Sequence, residues 1–261
     1  MTPNNVTDWN PEAYSRFRGL RLRPALDLLA QVGDLPLGDI IDLGCGNGAV
    51  GPALRHRFAD RQIIGVDQSP QMLGKAKAEG HYDRVVEADI AHWLPETPPA
   101  LIFSNAALHW LPDHAALMPR LAGVLAKGGM LAVQMPRQYG APSHRFLREI
   151  AQAMYPDRFD FVGHDAPVAQ AMAYHELLAP FGAVVAWETE FVQVLAASAE
   201  GHPVRRFTES TAMRPFLERM TESDAAAFVA RYDAALELSY PRAPDGTVLF
   251  PFRRCFFTLK V

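Results

Sequence analysis

The stretch IIDLGCGNGAVG, Ile40 to Gly51, limits what this chain can fold into more than any other. Ile40 and Ile41 read as the buried end of a parallel strand, and Asp42 stands where that strand ends. Gly44, Gly46 and Gly48 form a G-x-G-x-G turn. Ala49 to Phe58 then has helical spacing, with Pro52 in the first turn, where a missing N–H costs little. Strand, glycine turn and helix together bring bare backbone up to a ligand at a helix N-terminus.

The unit repeats downstream. Strands are expected at Gln62–Asp67, Arg84–Asp89, Ala100–Ala106 and 130–135, with helices between them, one opening on Ser69 and Pro70 and another over 112–126. Apolar runs this short, alternating with helices, imply strands buried on both faces of a parallel sheet, with ligands at the C-terminal strand ends. Asp42, Asp67, Asp89 and Asn105 all fall at such ends. Beyond Met135 the pattern changes: a helix over Ser143–Tyr155, a polar loop and helix over 157–182, a sixth strand Val184–Leu195, helices over 198–240 and a last strand Arg254–Val261. The expected architecture is α/β: a doubly wound, mostly parallel, seven-stranded Rossmann-like sheet. Residues 1–261 form a single domain, with 198–240 a helical cap inserted before the last strand. Trp9 and Tyr14, in residues 1–20, suit an N-terminal arm that they either anchor to the core or fold over the glycine turn as a lid.

The spacing selects among ligands. The third glycine follows the second by two residues, not three, and Asp42 precedes the first by two. No lysine follows, so the turn is not a P-loop. D-x-G-x-G-x-G resembles the pattern of S-adenosylmethionine-dependent methyltransferases, and implies backbone contact with the amino-acid moiety. Asp67, 19 residues past Gly48, is placed to accept from ribose hydroxyls. Asp89 and Ile90 would flank the adenine. Gln68, Met72, Asn105 and Trp110 complete the candidate cofactor contacts, with Trp9 and Tyr14 from the arm.

Longer segments carry a closer likeness. DWNPEAY (8–14), DLGCGNG (42–48), GVDQSPQML (65–73), EADIAHW (87–93), IFSNAALHWLPDH (102–114), GGMLAVQMP (128–136), PSHRFLRE (142–149), MRPFL (213–217), YP (240–241) and FRRCFF (252–257) resemble the trans-aconitate 2-methyltransferase family nearly end to end. The resemblance implies methylation of a carboxylate of a small polycarboxylic acid, most naturally trans-aconitate. The chain departs from the family at Asn47-Gly48-Ala49, at His109, at Ala212-Met213-Arg214-Pro215 and at Phe252-Arg253-Arg254; the last two fall in the region assigned to substrate.

A carboxylate is already ionised at neutral pH, so in-line displacement at a sulfonium methyl needs no general base. The remaining carboxylates need holding, which bidentate arginine does well. Arg214 and Arg254, at matching family positions, are the expected holders, with Tyr139 and His109 as further acceptor contacts. His109 would act as a base only for a hydroxyl or amine acceptor; His144 and His202 are weaker candidates. The rival readings are a methyltransferase for another carboxylic acid or a malonyl thioester, a non-catalytic cofactor-binding protein, and, more distantly, a nicotinamide oxidoreductase.

A net charge of -4 argues against nucleic acid as a partner. Two cysteines, Cys45 and Cys255, make neither a disulfide framework nor a metal cluster, and suit a reducing cytoplasm. The opening MTPNNVTDWN has no basic or apolar signal region, and no apolar run reaches the length of a membrane span.

Overall fold

The computed structural model describes residues 18–261. Trp9 and Tyr14, and with them the expected lid, lie outside the described residues. The chain divides into two compact units: residues 1–136, 169–188 and 255–261 in the first, 137–168 and 189–254 in the second.

The first unit is built around the sheet, with α1 (Arg18–Ala30) ahead of it. The β-α repeat follows as β1 (Ile40–Leu43), α2 (Gly51–Arg57), β2 (Ile63–Asp67), α3 (Pro70–Glu79), β3 (Arg84–Glu87), β4 (Leu101–Asn105), α4 (His114–Gly123) and β5 (Met130–Pro136). β1, β2, β4 and β5 are almost wholly buried along their length, as strands covered on both faces must be. β1 pairs in parallel with β2 and β4, β2 with β3, and β4 with β5. The seven-stranded order is β3-β2-β1-β4-β5-β7-β6, where β6 is Ala183–Leu195 and β7 is Val248–Lys260. Gly129 bonds Val261, and Arg137 bonds Arg253, so β7 runs antiparallel to β5. The order reverses beside β1, between β2 and β4, which puts the glycine turn at the switch point of the sheet.

Several boundaries shift from expectation, each for a local reason. α2 starts at Gly51, three residues past the last motif glycine, because three positive-φ glycines (Gly44, Gly46, Gly48) hold the chain out of helix until then. α3 begins where Ser69 accepts from the Met72 N–H at 3.3 Å, and ends at Gly80 in the left-handed region. β3 stops at Glu87, so Asp89 lies in the following loop rather than on the strand. β7 begins six residues earlier than the sequence suggested, because Val248 to Arg254 continue an alternation of buried and exposed residues through Pro251.

The second unit packs α5 (Pro142–Met154), α7 (Pro203–Thr208), α8 (Arg214–Leu217) and α9 (Glu222–Ser239) with the ends of β6 and β7; α6 (Ala171–Leu178) belongs to the first unit. Its core is aromatic: Phe216 stacks on Phe159 and Phe228, and Phe250 meets Phe207, Tyr240 and Phe252. The helices expected over 198–240 are α7, α8 and α9, lying between β6 and β7.

Candidate functional site

The glycine turn sits on a packed floor. Gly44 has φ +79°, and a Cβ there would stand 2.2 Å from the Ala107 Cβ and 3.6 Å from Ile90 Cδ1. Only glycine lets β1 run so close beneath the segment after β4. Gly46 is the opposite case, since a Cβ would meet nothing within 4 Å. The turn is thus closed beneath Gly44 and open above Gly46, which is where backbone can be approached.

Asp67 joins the two halves of the turn. Its Oδ2 accepts from the Gly46 N–H at 2.8 Å, and its Oδ1 from the Ser69 N–H at 3.0 Å. One carboxylate therefore fixes both the glycine turn and the start of α3. Gln68 beside it is exposed, and Met72, one turn into α3, is buried.

Asp42 lies below the turn, 1% exposed, with its Oδ2 accepting from the Tyr82 hydroxyl at 2.7 Å. Burial pushes its carboxyl up to about 7, opposed by the Tyr82 hydrogen bond and helped by the charge of Asp67. Its contribution to a ligand is therefore through the shape of the turn. Cys45 is also buried here, and burial together with the two carboxylates raises its thiol. Both cysteines are free and buried.

Asp89 faces solvent. It accepts from the Ala91 N–H at 2.9 Å and contacts the His92 Nδ1 at 2.9 Å, and these hold its carboxyl below the usual range. Arg120, on α4, donates to the carbonyls of Trp93 and Ala91 at 2.8 Å and of Ile90 at 3.4 Å, and so fixes the loop that carries Asp89 and Ile90. Asn105 ends β4, and its buried Oδ1 has no hydrogen-bond partner among the described residues. A short 3-10 turn follows at Leu108–Trp110, where the His109 and Trp110 rings lie 4.6 Å apart and Trp110 is half-exposed.

The strand ends of the first unit therefore present oxygen acceptors: the Asp67 and Asp89 carboxylates and the Asn105 carbonyl. Such a set suits a ligand with hydroxyls, an amino group and positive charge, and suits a phosphate poorly. The residues fit S-adenosylmethionine. Tyr82 and Arg120 were not among the sequence-predicted residues. Nothing in a lone tyrosine or a mid-helix arginine marks it as a support, although the GHYD turn leading into β3 placed Tyr82 close by in sequence.

The expected acceptor residues other than His109 belong to the second unit, each with its own neighbours. The Tyr139 hydroxyl donates to the His164 carbonyl at 3.2 Å, and the Arg148 guanidinium lies 3.4 Å over its ring. Arg214 opens α8 and pairs with Glu218 at 2.8 Å. Arg254 is 3% exposed on β7, its guanidinium 4.7 Å over the Phe252 ring. His202 caps α7: its Nδ1 accepts from the Val204 N–H and its Nε2–H donates to the Tyr240 carbonyl, which occupies both ring nitrogens in structural bonds. His144 is held neutral, burial and the nearby Arg148 lowering it to about 4.

Comparison with known proteins gives consistent results. A family model described as a methyltransferase domain matches residues 41–133. A trans-aconitate 2-methyltransferase from Methylobacterium radiotolerans is 40% identical over 261 residues, spanning 98% of this chain and 99% of that protein. One from Escherichia coli is 38% identical over 257 residues, with the same coverage of both. Among solved structures, phosphoethanolamine N-methyltransferase 2 of Haemonchus contortus, bound to phosphomonomethylethanolamine and S-adenosylhomocysteine, aligns with a TM-score of 0.58 at 17% identity. That alignment covers 98% of this chain and 58% of the longer Haemonchus chain. The YcgJ protein of Bacillus subtilis aligns at 0.53 with 14% identity, over 94% and 98% of the two chains. At these identities the structural likeness speaks to the fold.

Proposed function

The chain belongs to the trans-aconitate 2-methyltransferase family, and on that footing we propose that it methylates a carboxylate of a small polycarboxylic acid, trans-aconitate foremost. It is an S-adenosylmethionine-dependent methyltransferase. The observation that carries the reading is the acceptor-lined turn, open above Gly46, with the Asp67 carboxylate within reach and the Asn105 carbonyl unpartnered among the described residues.

The cofactor, when bound, supplies an electrophilic methyl group on a sulfonium. The chain supplies position and shelter. The Gly44–Gly48 backbone would face the amino-acid moiety, Asp67 the ribose hydroxyls, and Asp89 with Ile90 the adenine. Asn105 Oδ1 would accept from an ammonium. No residue has to remove a proton, because the nucleophilic carboxylate is ionised at neutral pH; the enzyme's work is alignment and exclusion of water. Arg214 and Arg254 are the proposed holders of the acceptor's other carboxylates, with Tyr139 and His109 as further contacts. Arg254 is the stronger of the two, because its guanidinium is more deeply buried than that of the half-buried Arg214, and a desolvated guanidinium pairs with a carboxylate more firmly.

The test is an acceptor panel with methyl-labelled cofactor: trans-aconitate, other small di- and tricarboxylic acids, and a malonyl thioester. Label should pass to trans-aconitate as an acid-stable, base-labile ester. Transfer only to another acid would move the substrate while keeping the chemistry. Cofactor binding with no transfer to any acceptor would overturn the enzymatic reading.

A further inference from the structure

β6 and β7 are neighbouring strands, and two cross-strand pairs of the same register, Trp187 stacked on Phe256 and Glu190 bridged to Arg253, set them as an antiparallel ladder. Glu190 and Arg253 pair across it at 3.7 Å on the exposed face. Two residues further along each strand, Val192 stands opposite Pro251, then Val194 opposite Leu249; Val192, Val194 and Leu249 are all exposed. The residues between them face inward, Phe191 opposite Phe252 and Gln193 opposite Phe250. Phe250, Phe252 and Arg254 are 0%, 5% and 3% exposed, and Gln193 is 4% exposed.

Gln193 is out of place in that aromatic wall. Neither its Oε1 nor its Nε2 has a hydrogen-bond partner among the described residues. A stripped, unpaired carboxamide costs more than a hydrocarbon of the same shape, so folding alone favours leucine at this position. The surroundings indicate what the amide is kept for. Arg254 lies on the same inward face, and its guanidinium leans over Phe252, the residue next to Phe250 along that face. The His144 ring meets Phe252 edge-on at 6.4 Å. Phe252 thus carries a buried cation and an imidazole, with the Gln193 amide on the adjacent rung.

We propose that Gln193 is an acceptor-binding residue, donating from Nε2 to a carboxylate oxygen of a small polycarboxylic acid whose neighbouring carboxylate is held by Arg254. The inference rests on the reading of the chain as a carboxylate methyltransferase, and assigns a specificity role within it. A carboxamide and a guanidinium on one face of the ladder distinguish an acid with two or more carboxylates from a monoacid, which fills only one of the two positions.

The test uses the full-length protein with Gln193→Leu and Gln193→Glu. With trans-aconitate as acceptor, Gln193→Leu should raise KM about ten-fold, the loss of one hydrogen bond to a charged group, with kcat changed by less than about three-fold. Gln193→Glu, which sets a carboxylate against the acceptor, should raise KM further. S-adenosylhomocysteine affinity should stay at the wild-type value in both, and Gln193→Leu should melt at or above the wild-type temperature. A wild type active on trans-aconitate with Gln193→Leu kinetically unchanged would overturn the role of Gln193 alone. A lowered melting temperature with equal loss of acceptor and cofactor binding would make Gln193 structural and would also overturn it. A wild type that methylates no carboxylic acid removes the enzymatic reading itself, and the inference with it.

Discussion

Asp42 shows how much a single side chain can change between sequence and structure. At the end of a strand two residues before a glycine motif, it reads as a ligand contact. In the fold it is sealed under the turn and bonded to Tyr82, which no spacing rule announces. Its folded pKa is about 7 against 3.8 for the free group, so the unfolded chain ionises first as pH rises. Asp42 therefore withdraws stability between about pH 4 and pH 7, by roughly 4 kcal/mol at most, and the full cost is present above that window. Asp42→Asn keeps an oxygen for the Tyr82 hydroxyl and removes the charge. The variant should be more stable than wild type in urea at pH 8, with the difference closing near pH 4. An equal difference at both pH values would mean that packing, not ionisation, governs the site.

At the scale of elements, what was legible was what periodicity and punctuation encode. The β-α repeat, the Ser69 cap and the strand-end acids come from local spacing, and they stand in the structure within a few residues. Longer-range facts were not legible. β7 reads from Arg254 only; the structure carries the strand back through Pro251, a residue that discourages strands, to Val248. The loop after β3 gave no sign of what holds it. That support is Arg120, which caps three loop carbonyls from α4 and looks from sequence like any surface arginine. Arg120→Met should leave those carbonyls short of a donor and loosen the segment bearing Asp89 and Ile90. S-adenosylhomocysteine affinity should fall about ten-fold by titration calorimetry while the acceptor KM holds, since one hydrogen-bond donor set of this size is worth about 1.4 kcal/mol. Unchanged cofactor affinity would show that the loop holds its shape unaided.

At the scale of the whole molecule, the chain passes between its two units four times, and two of the crossings fall inside β6 and β7. Neither unit can unfold without breaking a strand shared with the other. Calorimetry should therefore give one cooperative transition, with calorimetric and van't Hoff enthalpies in agreement. S-adenosylhomocysteine at a hundred times its Kd should move that whole transition, by an amount equivalent to about 2.7 kcal/mol. Two transitions, only one of them responding, would refute the coupling. The burial of both cysteines has a practical consequence at the same scale. Cys45 is sealed under the glycine turn with its thiol held protonated, and Cys255 is wholly enclosed in β7. Thiol reagents applied to the native protein meet no reactive native thiolate. A single cysteine introduced on an exposed helix then offers a clean attachment point for a maleimide dye, with the native pair left in place.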